Sequence, residues 1–347
     1  MINWRNLLKV ETNTISCLHG LRAICAFWVV AGHRIFRASE IISEPVVYST
    51  SIGRVLIYAV AEKDYAVDVF FLIAGVLVLK SVFRSLEGGK FNVLKFYFTR
   101  YMRYMTADAV LLLFYMSSFQ KAIVDGISIE LLDHQLKACV NYWWSNLLLV
   151  QNYVNPASTC MPVTWYLSVD FQLFLISPVF VYLLWKFKYR TLWLFAAIVC
   201  VTQAGIFYIV YNDIFVYQIV HRQTHYRVAQ FLFGITLGYI MFERDEKVEM
   251  ETRYKILGWL LTLSVFATIC GAHELFKGDK IIAALYDSTH RIAWTCLIGW
   301  IIFNCHHLKS GGFLNDFLSL TFWQPFSKMS LSIYLVHYVY IIMTPHF

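Results

Sequence analysis

The sequence predicts an all-α fold, a polytopic integral membrane helical bundle of about nine to ten transmembrane helices. Apolar residues make up 59% of the 347 residues, above the ~45–50% of ordinary globular chains. Charged residues make up only 15%, against about 25% in such chains. Several apolar runs also approach the ~20 residues that a helix needs to cross a bilayer. This composition excludes a disordered chain, a collagen-like chain and a small secreted disulfide scaffold.

Nine apolar segments are predicted to cross the membrane as helices. In chain order they are residues 18–36, 69–79, 109–119, 171–185, 191–212, 228–242, 256–272, 292–305 and 329–347. The clearest of them, 191–212, contains no Asp, Glu, Lys or Arg, whereas 228–242 and 292–305 reach full length only with their flanking residues. The whole chain, 1–347, then forms one transmembrane domain with 1–16 as a cytoplasmic lead-in.

A tenth apolar segment, residues 142–153, is too short to cross the membrane as a helix. It contains the aromatic pair Trp143 and Trp144, and such residues favour the headgroup level of a bilayer. We therefore predict that residues 140–160 form an interfacial or re-entrant segment. A short tilted crossing is the alternative, and it would reverse the orientation of every later span.

The distribution of basic residues predicts a cytoplasmic N-terminus. In that orientation, 18 of the 29 Lys and Arg residues lie on the cytoplasmic side when Arg22, at the inner end of the first span, is included, as the positive-inside rule requires. The same rule explains the net charge of +7, and no basic run interleaved with aromatic residues indicates a nucleic-acid partner. We expect a multi-pass protein of the plasma membrane or of an endomembrane.

The cysteines and the short motifs narrow the chemistry further. Cys139 and Cys160 both fall on the outer side in this topology, where they are candidates for a disulfide because such bonds persist in oxidising compartments. The sequence has no HExxH zinc motif, no P-loop and no GxSxG elbow. We therefore predict neither a bound metal nor a resident cofactor.

The first span contains the strongest candidates for catalysis, since an ionisable residue inside a bilayer is a functional hypothesis by default. Arg22 and His33 lie eleven positions apart, which is about three helical turns, so their side chains share a face roughly 16 Å apart along the axis. We predict that both line one wall of an internal cavity. In the alternative, the arginine reaches the inner headgroups and the histidine is satisfied by a neighbouring helix.

Two acidic residues are predicted to assist that histidine. Asp68 opens the second span, and Asp170 lies at the start of the fourth. Either carboxylate would orient the imidazole of His33 or tune its basicity. For Asp68, the alternative is a helix N-terminal acid that complements the helix dipole.

Two further features lie beside the third span and in the last span. Arg100 and Arg103 stand three residues apart and form one cationic helix face, and guanidinium groups match the geometry of phosphates. The alternative for this pair is an ordinary cytoplasmic flank of the third span. His337 in the last span is a secondary candidate, whose alternative is a core histidine bonded to backbone or to a serine hydroxyl.

Several blocks of this sequence resemble, in order, the acyltransferase 3 family in its animal branch called nose resistant to fluoxetine. The matching blocks include Cys17-Leu-His-Gly-Leu-Arg22, Ala66-Val-Asp-Val-Phe-Phe-Leu-Ile-Ala-Gly75, Trp143-Trp-Ser-Asn-Leu-Leu148, Trp165-Tyr-Leu-Ser-Val-Asp170 and Phe326-Ser-Lys-Met-Ser-Leu-Ser-Ile-Tyr-Leu-Val-His337. Together they cover nearly the whole chain. In this branch a cysteine-rich extracellular domain and one further span usually come first, and this sequence starts after them, as a fragment, a short isoform or a reduced member would.

The resemblance implies a membrane-bound O-acyltransferase that moves an acyl group from acyl-CoA to a hydroxyl of a lipid, a sugar or another small acceptor. Members of the family have an arginine, ten residues and a histidine in the first span, which here correspond to Arg22 and His33. They also have a cytoplasmic Arg-x-x-Arg pair associated with the acyl donor, which corresponds to Arg100 and Arg103. Acyl-CoA is then a co-substrate, and the expected partners are acyl-CoA, membrane lipids and the acceptor.

The predicted mechanism is acylation of a hydroxyl. His33 would act as the general base, because imidazole titrates near physiological pH, and Arg22 would bind the donor or stabilise developing negative charge. Arg100 and Arg103 would bind the donor phosphates. The main alternative is a non-enzymatic lipid or xenobiotic transporter, since carriers also have buried charges and broken helices near the midplane. A structural or receptor-like subunit is a third class.

Overall fold

The computed structural model describes the residues in ten stretches: 15–41, 60, 62–89, 91–117, 126–156, 158–214, 221–243, 249–275, 279–307 and 312–343. Within them, the regular structure is helical and contains no strand. The α-helices are α1 (Cys17–Ile41), α2 (Asp64–Glu87), α3 (Val93–Met116), α4 (Gly126–Leu147), α5 (Gln151–Val154), α6 (Trp165–Phe187), α7 (Arg190–Tyr211), α8 (Thr224–Glu243), α9 (Thr252–Leu275), α10 (Lys280–His307), α11 (Gly312–Leu318) and α12 (Trp323–Met343). A 3₁₀ turn, Pro162–Thr164, precedes α6.

The predicted all-α membrane fold is confirmed. All nine predicted spans overlap described helices of 20 residues or more, namely α1, α2, α3, α6, α7, α8, α9, α10 and α12. The ends of two of them, residues 118–119 and 344–347, lie outside the described residues. Among the described residues, three helical segments are long and apolar enough to cross a membrane, Asp64–Glu87, Pro162–Phe187 and Arg190–Tyr211, with mean hydropathies of 2.2, 1.8 and 2.0. The chain is an integral membrane protein, and crossing by the other six helices stays a prediction.

Helix α2 is the centre of the bundle, and α7 lies at its surface. In the apolar window of α2, 78% of the residues are buried, whereas only 11% are buried in that of α7. Helices α1, α6, α8 and α10 all pack against α2. Because the exposed face of α7 is as apolar as its buried one, it suits contact with lipid rather than with water.

Two glycines allow α2 and α8 to cross at close range. A Cβ atom on Gly234 would lie within 3.0 Å of the backbone of α2, and one on Gly75 within 3.0 Å of the backbone of α8. The ion pair between Asp68 and Arg227 lies seven residues before each glycine. The two helices therefore run in the same direction, as the second and the sixth of nine alternating spans should.

The outermost helices in sequence, α1 and α12, also run parallel to each other. His19 contacts Ser327 near their beginnings, and His33 contacts His337 near their ends. A first and a ninth span have this relation, whereas a first and a tenth span would be antiparallel.

Helices α3 and α6 run antiparallel, which bears on the segment between them. Phe96 stacks on Phe174, and Tyr104 further along α3 bonds Asp170 further back in α6. Consecutive spans are antiparallel only when the chain between them ends on the side of the membrane where it began. These contacts fit nine alternating spans without a crossing by α4.

The segment predicted to be interfacial or re-entrant, residues 140–160, follows a hairpin path. Helix α4 runs along α3 until the carbonyl of Leu147 accepts a hydrogen bond from the Tyr101 hydroxyl at 3.1 Å. The chain then turns at Leu149, whose φ is 56°, and returns to Cys160, which forms a disulfide with Cys139 in α4. The two predicted disulfide candidates are therefore joined, and the depth of the hairpin in the membrane stays a prediction.

The glycine crossing of α2 and α8 yields the first prediction. Gly234→Ala should destabilise the protein by about 1–3 kcal/mol, the usual cost of overpacking, because the new methyl group meets the carbonyl of Leu72. Gly299→Ala is the matched control, since its nearest neighbour would be a Leu237 methyl group at 3.8 Å. Thermal unfolding in detergent micelles measures the difference, and equal midpoints for the two variants would contradict the close crossing.

Candidate active site

A buried ion network joins α2, α8 and α10 in the bundle. The carboxylate of Asp68 is fully buried, with Oδ1 2.9 Å from Arg227 Nη1 and Oδ2 2.9 Å from Arg291 Nη1. Arg227 also donates from Nε to the carbonyl oxygen of His221 at 2.8 Å and contacts its Nδ1 at 2.8 Å. Because the two oxygens of Asp68 bind guanidinium groups from two other helices, the network holds α2, α8 and α10 together.

This network corrects one prediction. Asp68 was expected to orient His33, and the structure shows that its carboxylate binds Arg227 and Arg291 instead. Two guanidinium groups neutralise a buried carboxylate better than one neutral imidazole does. No local pattern indicates this contact, because Arg291 lies 223 residues away from Asp68 in the chain.

Asp170 likewise binds an arginine and not His33. Its Oδ2 lies 2.7 Å from Arg100 Nη2 and accepts a hydrogen bond from the Tyr104 hydroxyl. The second predicted orienting role is therefore also wrong, for the same electrostatic reason. The contact instead fixes the guanidinium group of Arg100, one of the two arginines predicted to bind the acyl donor, against α6.

An open cavity lies where α1, α2, α3, α6 and α12 meet. Its walls are formed by Arg22, Phe70, Ala74, Arg100, Arg103, Tyr104, Tyr166, Asp170, Ser327, Ser330, Leu331 and Tyr334. The structure thus brings together three arginines that the sequence analysis proposed, one from the first span and two from the Arg-x-x-Arg pair. Asp170 joins them as a wall residue.

The charge of this cavity favours an anion. Three guanidinium groups face one carboxylate there, and that carboxylate already binds Arg100. Within the part of the chain that the structure describes, Arg22 and Arg103 have neither a salt-bridge nor a hydrogen-bond partner. Two uncompensated cations at a partly buried site are a strong attraction for phosphate or carboxylate groups.

His33 does not line this cavity, which corrects the prediction of a shared wall. Arg22 is among the cavity residues and His33 is not. The eleven-residue step keeps both on one face of α1, but it also separates them by roughly 16 Å along the axis. Tyr334 lies between the two sites, because it lines the cavity and its ring centroid is 5.6 Å from that of His337.

His33 forms a pair with the secondary candidate, His337. The Nδ1 atom of His33 lies 3.2 Å from Nε2 of His337 and 2.9 Å from the carbonyl oxygen of Val29. His337 is 5% exposed, and its Nδ1 contacts the carbonyl oxygen of Tyr334. The last span therefore contributes to the site that the sequence analysis assigned to the first.

Metal-binding side chains are not clustered among the described residues. No group of three or more His, Cys, Asp or Glu side chains in the described stretches is arranged to hold a metal ion. The acidic residues nearest the site bind arginines, and the two histidines bind each other and backbone carbonyls.

Fold and site together define an integral membrane helical protein with a cationic cavity and a histidine pair behind it. The chain belongs to the acyltransferase 3 family, whose profile, described as an acyltransferase domain, matches residues 15–346. It is 25% identical over 95% of its length to nose resistant to fluoxetine protein 6 from Caenorhabditis elegans, and 23% identical over 54% to regulator of hypoxia-inducible factor 1 from the same organism. The chain spans 45% and 38% of these relatives. No solved structure matches it.

The ion network yields the second prediction. Arg227→Met leaves one oxygen of the buried Asp68 carboxylate unpaired and should cost about 3–5 kcal/mol, as removal of one partner of a buried pair does. The double variant with Asp68→Leu should recover part of that loss, because the fully buried carboxylate is then gone and the partly exposed Arg291 keeps Asp64 at 3.7 Å.

The control for this prediction is an exposed ion pair. Arg253 and Glu251 lie 2.5 Å apart with side chains that are 71% and 63% exposed, so Arg253→Met should leave the thermal midpoint unchanged. If Arg227→Met melts at the same temperature as this control, the network does not hold the bundle together.

Proposed function

We propose that the protein is an O-acyltransferase that moves an acyl group from acyl-CoA to a hydroxyl group of a lipid, a sugar or another small acceptor. Membership of the acyltransferase 3 family supports the reaction class. The donor, the acceptor and residence in the plasma membrane or an endomembrane are the finer parts of this proposal. The cation-lined cavity is the single observation that carries it.

The cavity suits the phosphate end of acyl-CoA. Arg22 and Arg103 carry charges that no acidic residue among the described ones neutralises. Arg100 is fixed by Asp170, and its guanidinium carbon lies 5.0 Å from the ring centroids of Tyr104 and Phe174, which pre-orders it. The phosphates of CoA supply the missing negative charge, and guanidinium groups bind phosphate in a bidentate manner.

His33 has the tautomer that a general base needs. The Val29 carbonyl can only accept a hydrogen bond, so the nearby Nδ1 atom of His33 carries the proton. The Nε2 atom is then unprotonated, and it has no partner among the described residues. A lone pair on Nε2 is therefore available to remove the proton of an acceptor hydroxyl.

The reaction proceeds in one balanced step of group transfer. As Nε2 of His33 removes the hydroxyl proton, the acceptor oxygen attacks the thioester carbonyl carbon. The carbon–sulfur bond breaks, and the thiolate of CoA leaves and receives the proton. The extended pantetheine arm of CoA bridges the separation between the arginines, which bind the phosphates, and His33, which is roughly 16 Å from Arg22 along α1.

Charge reversal at the cavity gives the third prediction. Arg103→Glu should raise the Kd for acyl-CoA by ~10-fold to 100-fold, because a charge-assisted hydrogen bond is worth about 1.5–3 kcal/mol. Arg253→Glu is the matched control, since Arg253 is 71% exposed and outside the cavity. Isothermal titration of the purified protein with acyl-CoA measures both. Equal affinity for the two variants would place the donor elsewhere.

The base at His33 gives the fourth prediction. His33→Ala should lower kcat for acyl transfer by ~10²-fold to 10⁴-fold, the usual contribution of a general base, while acyl-CoA affinity changes little because His33 lies outside the cavity. Turnover of radiolabelled acyl-CoA in nanodiscs, with extracted membrane lipids as acceptors, checks it. Wild-type turnover by the variant would refute the assignment of the base.

The transporter alternative makes a different prediction in the same nanodisc and liposome preparations. A carrier would move lipid or xenobiotic across liposomes without acyl-CoA and would not depend on the arginine cavity for donor binding. Flux of this kind with no acyl transfer would replace the proposed function.

A further inference from the structure

A chain of hydrogen bonds fixes the protonation of the histidine pair. The Tyr334 carbonyl accepts from Nδ1 of His337, so that nitrogen carries the proton and Nε2 of His337 is an acceptor. Nδ1 of His33 lies 3.2 Å from this acceptor and 2.9 Å from the Val29 carbonyl, and it donates to both. A neutral His337 therefore faces the protonated nitrogen of His33.

The rest of the bundle holds the ring of His337 in place. Its carbonyl partner, Tyr334, donates its hydroxyl proton to the carbonyl of Val163 at 2.7 Å, which anchors α12 beside the turn before α6. The ring centroids of His33 and His337 are 4.9 Å apart. Tyr334 also lines the arginine cavity, so this one residue contacts both the cavity and, through its backbone carbonyl, His337.

No carboxylate is in contact with either ring among the described residues. Asp68 and Asp170 bind arginines, and Asp64 contacts His221 at 3.2 Å. The other titratable groups that face the pair are Lys63 and Asp64 at the start of α2, which act on His33 at longer range, and the rings of Tyr334 and Tyr338, whose centroids are 5.6 Å from that of His337 and 6.3 Å from that of His33. Among the described residues, the neutral ring of His337 is therefore the side chain whose nitrogen directly contacts His33 and can stabilise a positive charge there.

We propose that His337 is a positioning residue for His33: its Nε2 lone pair holds the Nδ1 proton and supports the imidazolium that forms when His33 takes the acceptor proton. The inference rests on the proposed function and deepens it. A charged donor makes a hydrogen bond shorter and stronger, so this contact strengthens as the reaction proceeds. An imidazole here has the place that an aspartate has in a serine-protease triad.

Two isosteric variants separate positioning from packing. His337→Gln puts an amide oxygen near the place of Nε2, where it can accept from His33 Nδ1. His337→Asn puts its amide near Nδ1, where it can bond only the Tyr334 carbonyl. We expect His337→Gln to keep kcat within ~10-fold of wild type. His337→Asn should lower kcat by ~10²-fold, the lower end of the range for proton-transfer catalysis. The KM for acyl-CoA should be unchanged in both variants.

A second measurement does not depend on turnover. Diethyl pyrocarbonate carbethoxylates unprotonated imidazole nitrogen, and mass spectrometry of the α1 peptide gives the rate at His33. Its rate should be near that of wild type in His337→Gln and at least ~10-fold lower in His337→Asn. Both variants should melt within a few degrees of wild type.

The outcomes distinguish failure of the positioning role of His337 from failure of the proposed function. Equal carbethoxylation of His33 in both variants, or a loss that appears only in KM, overturns the positioning role. A wild-type protein that transfers no acyl group refutes the proposed function, and the carbethoxylation rates then still decide whether His337 positions His33.

Discussion

A charge inside an apolar bundle has to be neutralised by a neighbour, and this constraint arranges the protein. Asp68 satisfies it twice, through Arg227 and Arg291 from two other helices. Asp170 satisfies it through Arg100. Since these two carboxylates are used in this way, the positive charge of Arg22 remains at the cavity for a ligand to neutralise.

The parallel pair of α1 and α12 relates the two halves of the site. Near the beginnings of these helices lie Arg22 and the cavity residue Ser330, and near their ends lie His33 and His337. In the proposed function, the binding of an anionic head group and the removal of a proton are thus separated along one helix pair. This arrangement suits a donor that carries its phosphates and its reactive carbonyl at opposite ends, and it keeps the arginines from raising the energy of a protonated His33.

The sequence predicted the helices well, because long apolar runs determine them locally. It also predicted that α3 and α6 are antiparallel, because the short apolar segment between them was expected not to cross. It also indicated Arg22, Arg100 and Arg103, which do meet in one cavity. The carboxylates could not be assigned in this way. Their partners depend on which helices become neighbours, and periodicity within one span contains no information about a contact such as that between Asp68 and Arg291.

The most direct test is a structure of the protein with a non-transferable thioether analogue of acyl-CoA. We predict that the phosphates of the analogue contact Arg22, Arg100 and Arg103 and that its acyl end extends along α1. The thioether should then lie close enough to His33 for an acceptor hydroxyl bonded to Nε2 to contact it. An analogue bound with its phosphates away from these arginines, or with its thioether on the far side of Tyr334 from His33, would contradict the account.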